Sequence, residues 1–443
     1  ISMCRHKLLM NGKAGAEACI SSPSCFLIIN QQKFIVMKNI LLFASMFALL
    51  MGQNSFAQET KAKEDFKPSS ANQEGKEFPQ VNSEGCVRAQ ISAPDANMVQ
   101  LDIGGVKYNM VKDANGVWTG ESKPQDVGFH YYQLNIDGAS VPDPGSLYYY
   151  GASRWGSGIE VPSNDQDFFA LKNVPHGNLR ETFYYSKTSN SNRRVYIYTP
   201  PGYEKGNDQY PVLYLQHGMG ENETGWGSQG FAALIMDNLI AEGKAVPFII
   251  VMENSAVNFG GPRPPRPAAG ERPAGAPGQV APPAGGPEGA PRRGFGGPGG
   301  PGGFNMAGQF ERILIDDLIP FVESNYRVIA NQKNRAMAGL SMGGMQTRSI
   351  VIANPNLFSH VGMFSSGTFT PNEIQDIESF KKNVKLVFMS FGGKEGGAAR
   401  IGDAAKEWEK VGIKGVSYVS PETAHEWHSW RRSLNEFAPL LFK

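Results

Sequence analysis

The chain is poor in cysteine, in net charge and in long apolar runs, and each shortage narrows what it can be. Its 443 residues hold four cysteines. Cys4, Cys19 and Cys25 lie before Met37, which leaves Cys86 alone in the remainder. A lone cysteine excludes an internal disulfide framework, so a large apolar core must hold the fold together. Cys86 itself opens a strand-like stretch and reads as a small buried hydrophobe. With 42 basic and 41 acidic residues the formal charge is +1. That balance offers no electrostatic footprint for nucleic acid or an anionic membrane. The apolar run Ile40–Met51 is too short to cross a bilayer. Lys38 precedes it and Ser55-Phe56-Ala57 follows, so residues 37–57 read as a secretory signal peptide cut after Ala57. This predicts export to the periplasm or the cell exterior. Residues 1–36 precede the plausible initiator Met37 and are expected to be upstream sequence outside the fold.

What is present divides into stretches of different rhythm. Residues 58–85 are polar and aperiodic, and read as a flexible leader. Over 86–165, stretches such as "VRAQISAP", "MVQLDIGG" and "FHYYQLNIDG" alternate apolar and polar residues between Asp-Gly, Asn-Gly and Pro turn signals. They predict an all-β, immunoglobulin-like sandwich. Tyr148, Tyr149, Tyr150 and Trp155 form an aromatic cluster there. It is either a platform on which sugar rings stack or packing against the next domain. From 175 to 443, apolar runs ("YPVLYLQHG", "VPFIIVMEN", "VKLVFMSFGG") alternate with helical stretches. This is the pattern of a parallel α/β sheet covered on both faces, and its order suits an α/β hydrolase. The segment 260–303 breaks the rhythm. It carries twelve of the 30 prolines and no apolar period, so it predicts a disordered insertion on a strand-end rim.

The chemistry centres on "RAMAGLSMGG", residues 335–344. Gly339-Leu340-Ser341-Met342-Gly343 fits G-x-S-x-G, in which a serine occupies a strained strand-to-helix corner and glycines remove clashing Cβ atoms. A short buried strand before it and a helix over Met342–Ala353 supply the required context. Such a nucleophile needs an acid and then a histidine later in the chain. In "PETAHEWHSWRR", His425 follows a strand end and is the candidate base; His428 is the alternative and His360 reads as structural. Glu395, just past the strand ending at Gly393, is the candidate acid, with Asp403 second. An oxyanion hole needs two backbone N–H groups. Met342 supplies one, and Met219, after His217-Gly218 in "LQHGMGENETGW", the other. Trp226 is either a wall of an acyl pocket or a packing residue.

Two resemblances bear on these expectations. "SAPDANMVQLD", "DANGVWTG", "GFHYYQLNIDG" and "VPDP" resemble the early-set domains grouped as carbohydrate-binding module family 48. "YLQHGMGENETGW", "AGLSMGGMQT", "SFGGKEG" and "TAHEWHSWRRSLNEFAPLLF" resemble the esterase domain of carbohydrate esterase family 1, the feruloyl and acetylxylan esterases. The resemblance implies an acyl-enzyme mechanism without metal or organic cofactor, acting on feruloylated arabinoxylan. Tyr150, Trp155 and Trp226 are the substrate-binding candidates. An acetylxylan esterase, a siderophore esterase of the enterobactin type and a non-catalytic glycan-binding protein are the alternatives. The chain departs from the family at the acid, where Gly392-Gly393-Lys394-Glu395 replaces the usual Gly-x-x-Asp.

Overall fold

The computed structural model describes residues 62–256 and 306–443. The expected upstream sequence, signal peptide and Pro/Gly-rich insertion lie outside the described residues.

The N-terminal unit consists of two sheets that close on one core. One runs, in spatial order, Lys67–Pro68, Gln80–Val81, Val87–Ser92, Val117–Glu121 and Val111–Lys112. The other runs Tyr148–Gly151, Arg154–Val161, Gly128–Ile136, Val99–Ile103 and Val106–Asn109. All strand pairs in both are antiparallel. In Val99–Ile103, "VQLDI", alternate residues are buried because successive side chains leave a strand on opposite faces. Val87, Ala89 and Trp118 of one sheet meet Leu101, Tyr132, Leu134 and Ile159 of the other. The reading of 58–85 as a flexible leader is corrected from residue 63 onward. Lys67–Pro68 and Gln80–Val81 pair with each other, and the second extends the sheet beside Val87–Ser92. Ala71 and Val81 are buried, and Arg88 covers the Phe66 ring at 3.8 Å. Strands of two residues carry no hydropathy period, so composition alone cannot show them.

The larger unit is built on eight strands: β1 (Asn178–Ser186), β2 (Ser191–Thr199), β3 (Val212–Gln216), β4 (Ile249–Glu253), β5 (Arg335–Leu340), β6 (His360–Phe364), β7 (Leu386–Gly392) and β8 (Lys414–Ser420). Their spatial order is β1-β2-β4-β3-β5-β6-β7-β8. β2 runs antiparallel to its neighbours and all later pairings are parallel. This is the α/β hydrolase type of sheet expected for 175–443. Every residue of β3 through β7 is buried, because both faces are covered. The pleat sends Val212 and Tyr214 into one core and Leu213 and Leu215 into the other. The second core also takes in Phe129 and Tyr149 of the N-terminal unit together with Trp427 and Trp430.

The two units are joined by a fully buried arginine. Arg431, on the helix Trp427–Phe437, donates from Nη1 and Nη2 to both carboxylate oxygens of Glu160 at 2.8 and 3.0 Å. Its Nε donates to the Gln229 carbonyl at 2.7 Å, and its guanidinium lies over the Phe169 and Phe231 rings. Planar, two-pronged pairing of this kind fixes orientation as well as distance. The N-terminal unit is thereby held against the helix that immediately follows the His425 loop.

Candidate active site

Ser341 stands between β5 and the helix Met342–Ala353 with φ 50° and ψ −116°, outside the regions an L-residue prefers. Its own N–H donates to the Phe364 carbonyl at 2.8 Å, which pins the corner to β6. Glycines permit the bend. A Cβ on Gly339 would lie 2.4 Å from the Gly343 carbonyl carbon, and one on Gly343 would lie 2.5 Å from the His217 carbonyl oxygen. The local sequence thus folds as a nucleophile elbow, with the serine hydroxyl presented beyond the C-terminal ends of the parallel strands.

Three side chains from three strand ends meet there. His425 Nε2 lies 2.9 Å from Ser341 Oγ, and His425 Nδ1 lies 2.8 Å from Glu395 Oε2. The other carboxylate oxygen of Glu395 accepts from Ser365 Oγ at 2.6 Å and from the Gly392 N–H at 2.8 Å. Burial by itself raises this carboxyl, but the bonds from His425, Ser365 and Gly392 outweigh it and hold Glu395 below the ordinary carboxylate value. It is therefore ionised at neutral pH. Sequence reasoning did not single out Ser365 or Trp430. Trp430 Nε1 donates to Ser365 Oγ at 3.1 Å, and its ring meets the His425 imidazole edge-to-face at 5.2 Å. The second aromatic of "HEWHSW" was the available signal for it.

The other candidates fall elsewhere. His428 is buried, and its Nε2 lies 3.0 Å from Asp165 across the interface between the units. Burial pushes it down to about 4, so it is neutral at pH 7. Asp403 is exposed on the helix Ile401–Lys410 and pairs with Lys406. His360 sits in β6, 2.6 Å from Ser359 Oγ. Trp226 is buried and donates from Nε1 to the Gln216 carbonyl at 3.0 Å. Of its two readings, packing is the one observed. Tyr150 and Trp155 lie opposite each other on the hairpin Tyr148–Gly151/Arg154–Val161, their rings 5.5 Å apart, with Trp155 half exposed.

The backbone after β3 passes close beside the serine. A Cβ on Gly218 would lie 3.5 Å from Ser341 Cβ. The Gly218 carbonyl accepts from His217 Nδ1 at 2.8 Å and from the Glu221 N–H at 3.3 Å. His217 is buried and neutral, since burial holds its imidazole below the ordinary value. The Ser255 N–H donates to Nε2 at 3.0 Å, so the ring proton resides on Nδ1. In a trans peptide, C=O and N–H point opposite ways. Fixing the Gly218 oxygen therefore turns the Met219 N–H outward, and among the described residues that N–H has no acceptor. Met342 is the first residue of its helix, so its N–H has no acceptor within the helix. The arrangement can bind an oxyanion formed next to Ser341.

Glu221, on the same loop, is a buried carboxyl whose Oε2 has no partner among the described residues. Burial pushes it up to about 8 from its ordinary 4.5. The folded state thus keeps a proton that the unfolded chain releases, and this group makes stability fall as pH rises from about 4.5 to about 8. Glu221→Gln removes that contribution. The variant's melting temperature, relative to the parent's, is expected to rise between pH 5 and pH 9. Parallel melting curves across that range would show that Glu221 does not titrate there.

Comparisons with known proteins point to esterases. A family model described as putative esterase matches residues 186–269 and 300–441, about half of the chain. An endo-1,4-beta-xylanase/feruloyl esterase of Xylanibacter ruminicola is 42% identical over 395 residues, 86% of this chain and 48% of that protein. The chain thus spans about half the length of that relative. Among solved structures, the enterobactin esterase of Shigella flexneri aligns with a TM-score of 0.53 at 15% identity, covering 81% of this chain and 92% of that one. That likeness is one of fold. A ferulic acid esterase of Anaeromyces mucronatus aligns with a TM-score of 0.46 at 20% identity, over 63% of this chain and 96% of that one.

Proposed function

The chain belongs to the putative esterase family and is a carboxylic ester hydrolase, and from that premise we propose that it is an exported serine esterase cleaving feruloyl and related hydroxycinnamoyl esters of arabinoxylan. The observation that carries the mechanism is the unbroken hydrogen-bond chain from Glu395 through His425 to Ser341. His425 Nε2 takes the Ser341 proton as Oγ attacks the ester carbonyl, and Glu395 stabilises the imidazolium that forms. The Met219 and Met342 N–H groups receive the oxyanion. His425 then protonates the departing sugar oxygen, leaving a feruloyl-serine. Water, deprotonated by the same imidazole, releases ferulate and restores the hydroxyl. The feruloyl assignment rests on the 42% identity to a relative that bears that name. Export rests on the reading of residues 37–57 as a signal peptide.

We place the polysaccharide against the N-terminal unit, taken as the carbohydrate-binding-module-like sandwich of the sequence resemblance. The register that sets Tyr150 opposite Trp155 and Tyr148 opposite Ser157 puts all three aromatics on one face of the hairpin. The tip of that hairpin touches the oxyanion loop, with the Ser153 N–H 2.7 Å from the Gly220 carbonyl. A sugar chain stacked on Trp155 and Tyr150 is thus delivered beside the serine. Trp155→Ala is expected to raise KM on feruloylated arabinoxylan by about tenfold, the worth of one stacked ring, and to change KM on methyl ferulate less than twofold. A panel of methyl ferulate, acetylated xylan and enterobactin tests the acyl assignment. Faster turnover of either of the last two overturns the feruloyl reading.

A further inference from the structure

Tyr131 belongs to the N-terminal unit, on the strand Gly128–Ile136, yet its hydroxyl is bonded to the catalytic domain on two sides. It accepts from Trp427 Nε1 at 3.1 Å and from Gln229 Nε2 at 2.5 Å, and donates to Glu221 Oε1 at 3.1 Å. A phenol has one proton and two lone pairs, so the two donors fill its lone pairs, and its proton goes to Glu221 Oε1 as the nearer of two acceptors, the other being the Tyr150 carbonyl at 3.4 Å. The partners are informative. Trp427 follows His425 by two residues. Glu221 lies in the oxyanion loop, and its N–H is one of the two donors on the Gly218 carbonyl. The ring is held in turn by the hairpin, where a Cβ on Gly151 would lie 2.1 Å from Tyr131 Cζ. Glycine at 225 leaves room for the assembly, since a Cβ there would stand 3.1 Å from both Glu221 Oε2 and the Trp427 ring.

We propose that the N-terminal unit is a working part of the catalytic centre, with Tyr131 as a positioning residue that clamps the oxyanion loop and the His425 loop to each other. The proposal rests on Met219 being an oxyanion donor. It gives the unit a role beyond holding polymer. A module that only tethers polysaccharide has no effect on a small soluble ester, whereas a clamp on the oxyanion peptide acts on every ester. The effect must fall on kcat, because the developing oxyanion depends on donor placement far more than the bound ground state does.

The full chain carries the test, with Tyr131→Phe set against Tyr132→Phe. Tyr132 is the next residue on the same strand, and its hydroxyl is also buried, but it donates to Asp143 within the N-terminal unit at 2.8 Å. Both variants lose one phenol hydroxyl, and only one touches the catalytic loops. On p-nitrophenyl acetate, Tyr131→Phe is expected to lower kcat about tenfold or more, with KM changed less than twofold. Its affinity for an aryl trifluoromethyl ketone, which forms an oxyanion on the serine, should fall by a similar factor. Tyr132→Phe is expected to lower the melting temperature and keep the parent kcat. Three outcomes overturn the proposal: unchanged kcat in Tyr131→Phe, equal kcat losses in both variants, or a loss confined to feruloylated polymer. Failure of the feruloyl reading is distinguishable, since it shows as a parent chain that cleaves p-nitrophenyl acetate and leaves methyl ferulate intact.

Discussion

Ser341→Ala lowers kcat on methyl ferulate by about five to six orders of magnitude, the loss expected when a nucleophile is removed from a unit whose members act together. The residual rate, from the oxyanion donors and substrate positioning alone, stays above that of water. Alanine keeps the Cβ and the backbone requirement, so stability changes little. Ser341→Gly separates the two demands made on this position. It is equally inactive, but it removes the Cβ that makes φ 50° and ψ −116° unfavourable. Release of about 1 kcal/mol of stored strain appears as a melting temperature a few degrees above the parent's. Turnover of the alanine variant at the parent rate would remove Ser341 from the mechanism. A glycine variant no more stable than alanine would mean that the corner stores no more strain than the roughly 0.5–1 kcal/mol that glycine's extra unfolded-state entropy costs.

The sequence made the centre of the site legible because the elbow is a local device. Its glycines, its serine and its strand and helix occupy one contiguous stretch, even though the carbonyl that requires glycine at 343 is that of the distant His217. Glu395 and His425 could be placed because a parallel sheet delivers its functional residues at strand ends, and those ends are marked by apolar runs giving way to glycine or proline. What supports the site was not legible. The Tyr131 hydroxyl joins residues 90 and 296 positions away, and no periodicity or motif encodes such a pairing. Trp226 could not be told from a pocket wall, since the distinction lies in whether its Nε1 finds a backbone acceptor, here Gln216. The pairing of Lys67–Pro68 and Gln80–Val81 leaves no mark in the sequence for a related reason. Their bonds are made by backbone atoms that every residue carries.

Glu395→Gln is expected to lower kcat about ten-thousand-fold, and the reason lies in the direction of each hydrogen bond around the carboxylate. Oε1 faces two donors, the Ser365 hydroxyl and the Gly392 N–H, while Oε2 faces His425 Nδ1. A glutamine placed here keeps its carbonyl oxygen toward the two donors and turns its NH2 group to the imidazole. His425 must then accept at Nδ1 and carry its proton on Nε2, the tautomer that cannot take a proton from Ser341. Glu395→Asp retains the charge but is one methylene short, so it cannot reach His425 and both donors together; a loss of ten- to a hundredfold is expected. Asp403→Asn, on an exposed helix with Lys406 as partner, leaves kcat at the parent value. The Glu395 carboxyl also couples the site to acid. Because its folded value is depressed, the stability it contributes is present above the ordinary carboxylate range and is lost as pH falls through the folded value. Glu395→Gln should therefore flatten the acid limb of the melting-temperature profile as well as the activity. A glutamine variant within tenfold of the parent kcat would move the acid of this esterase away from Glu395.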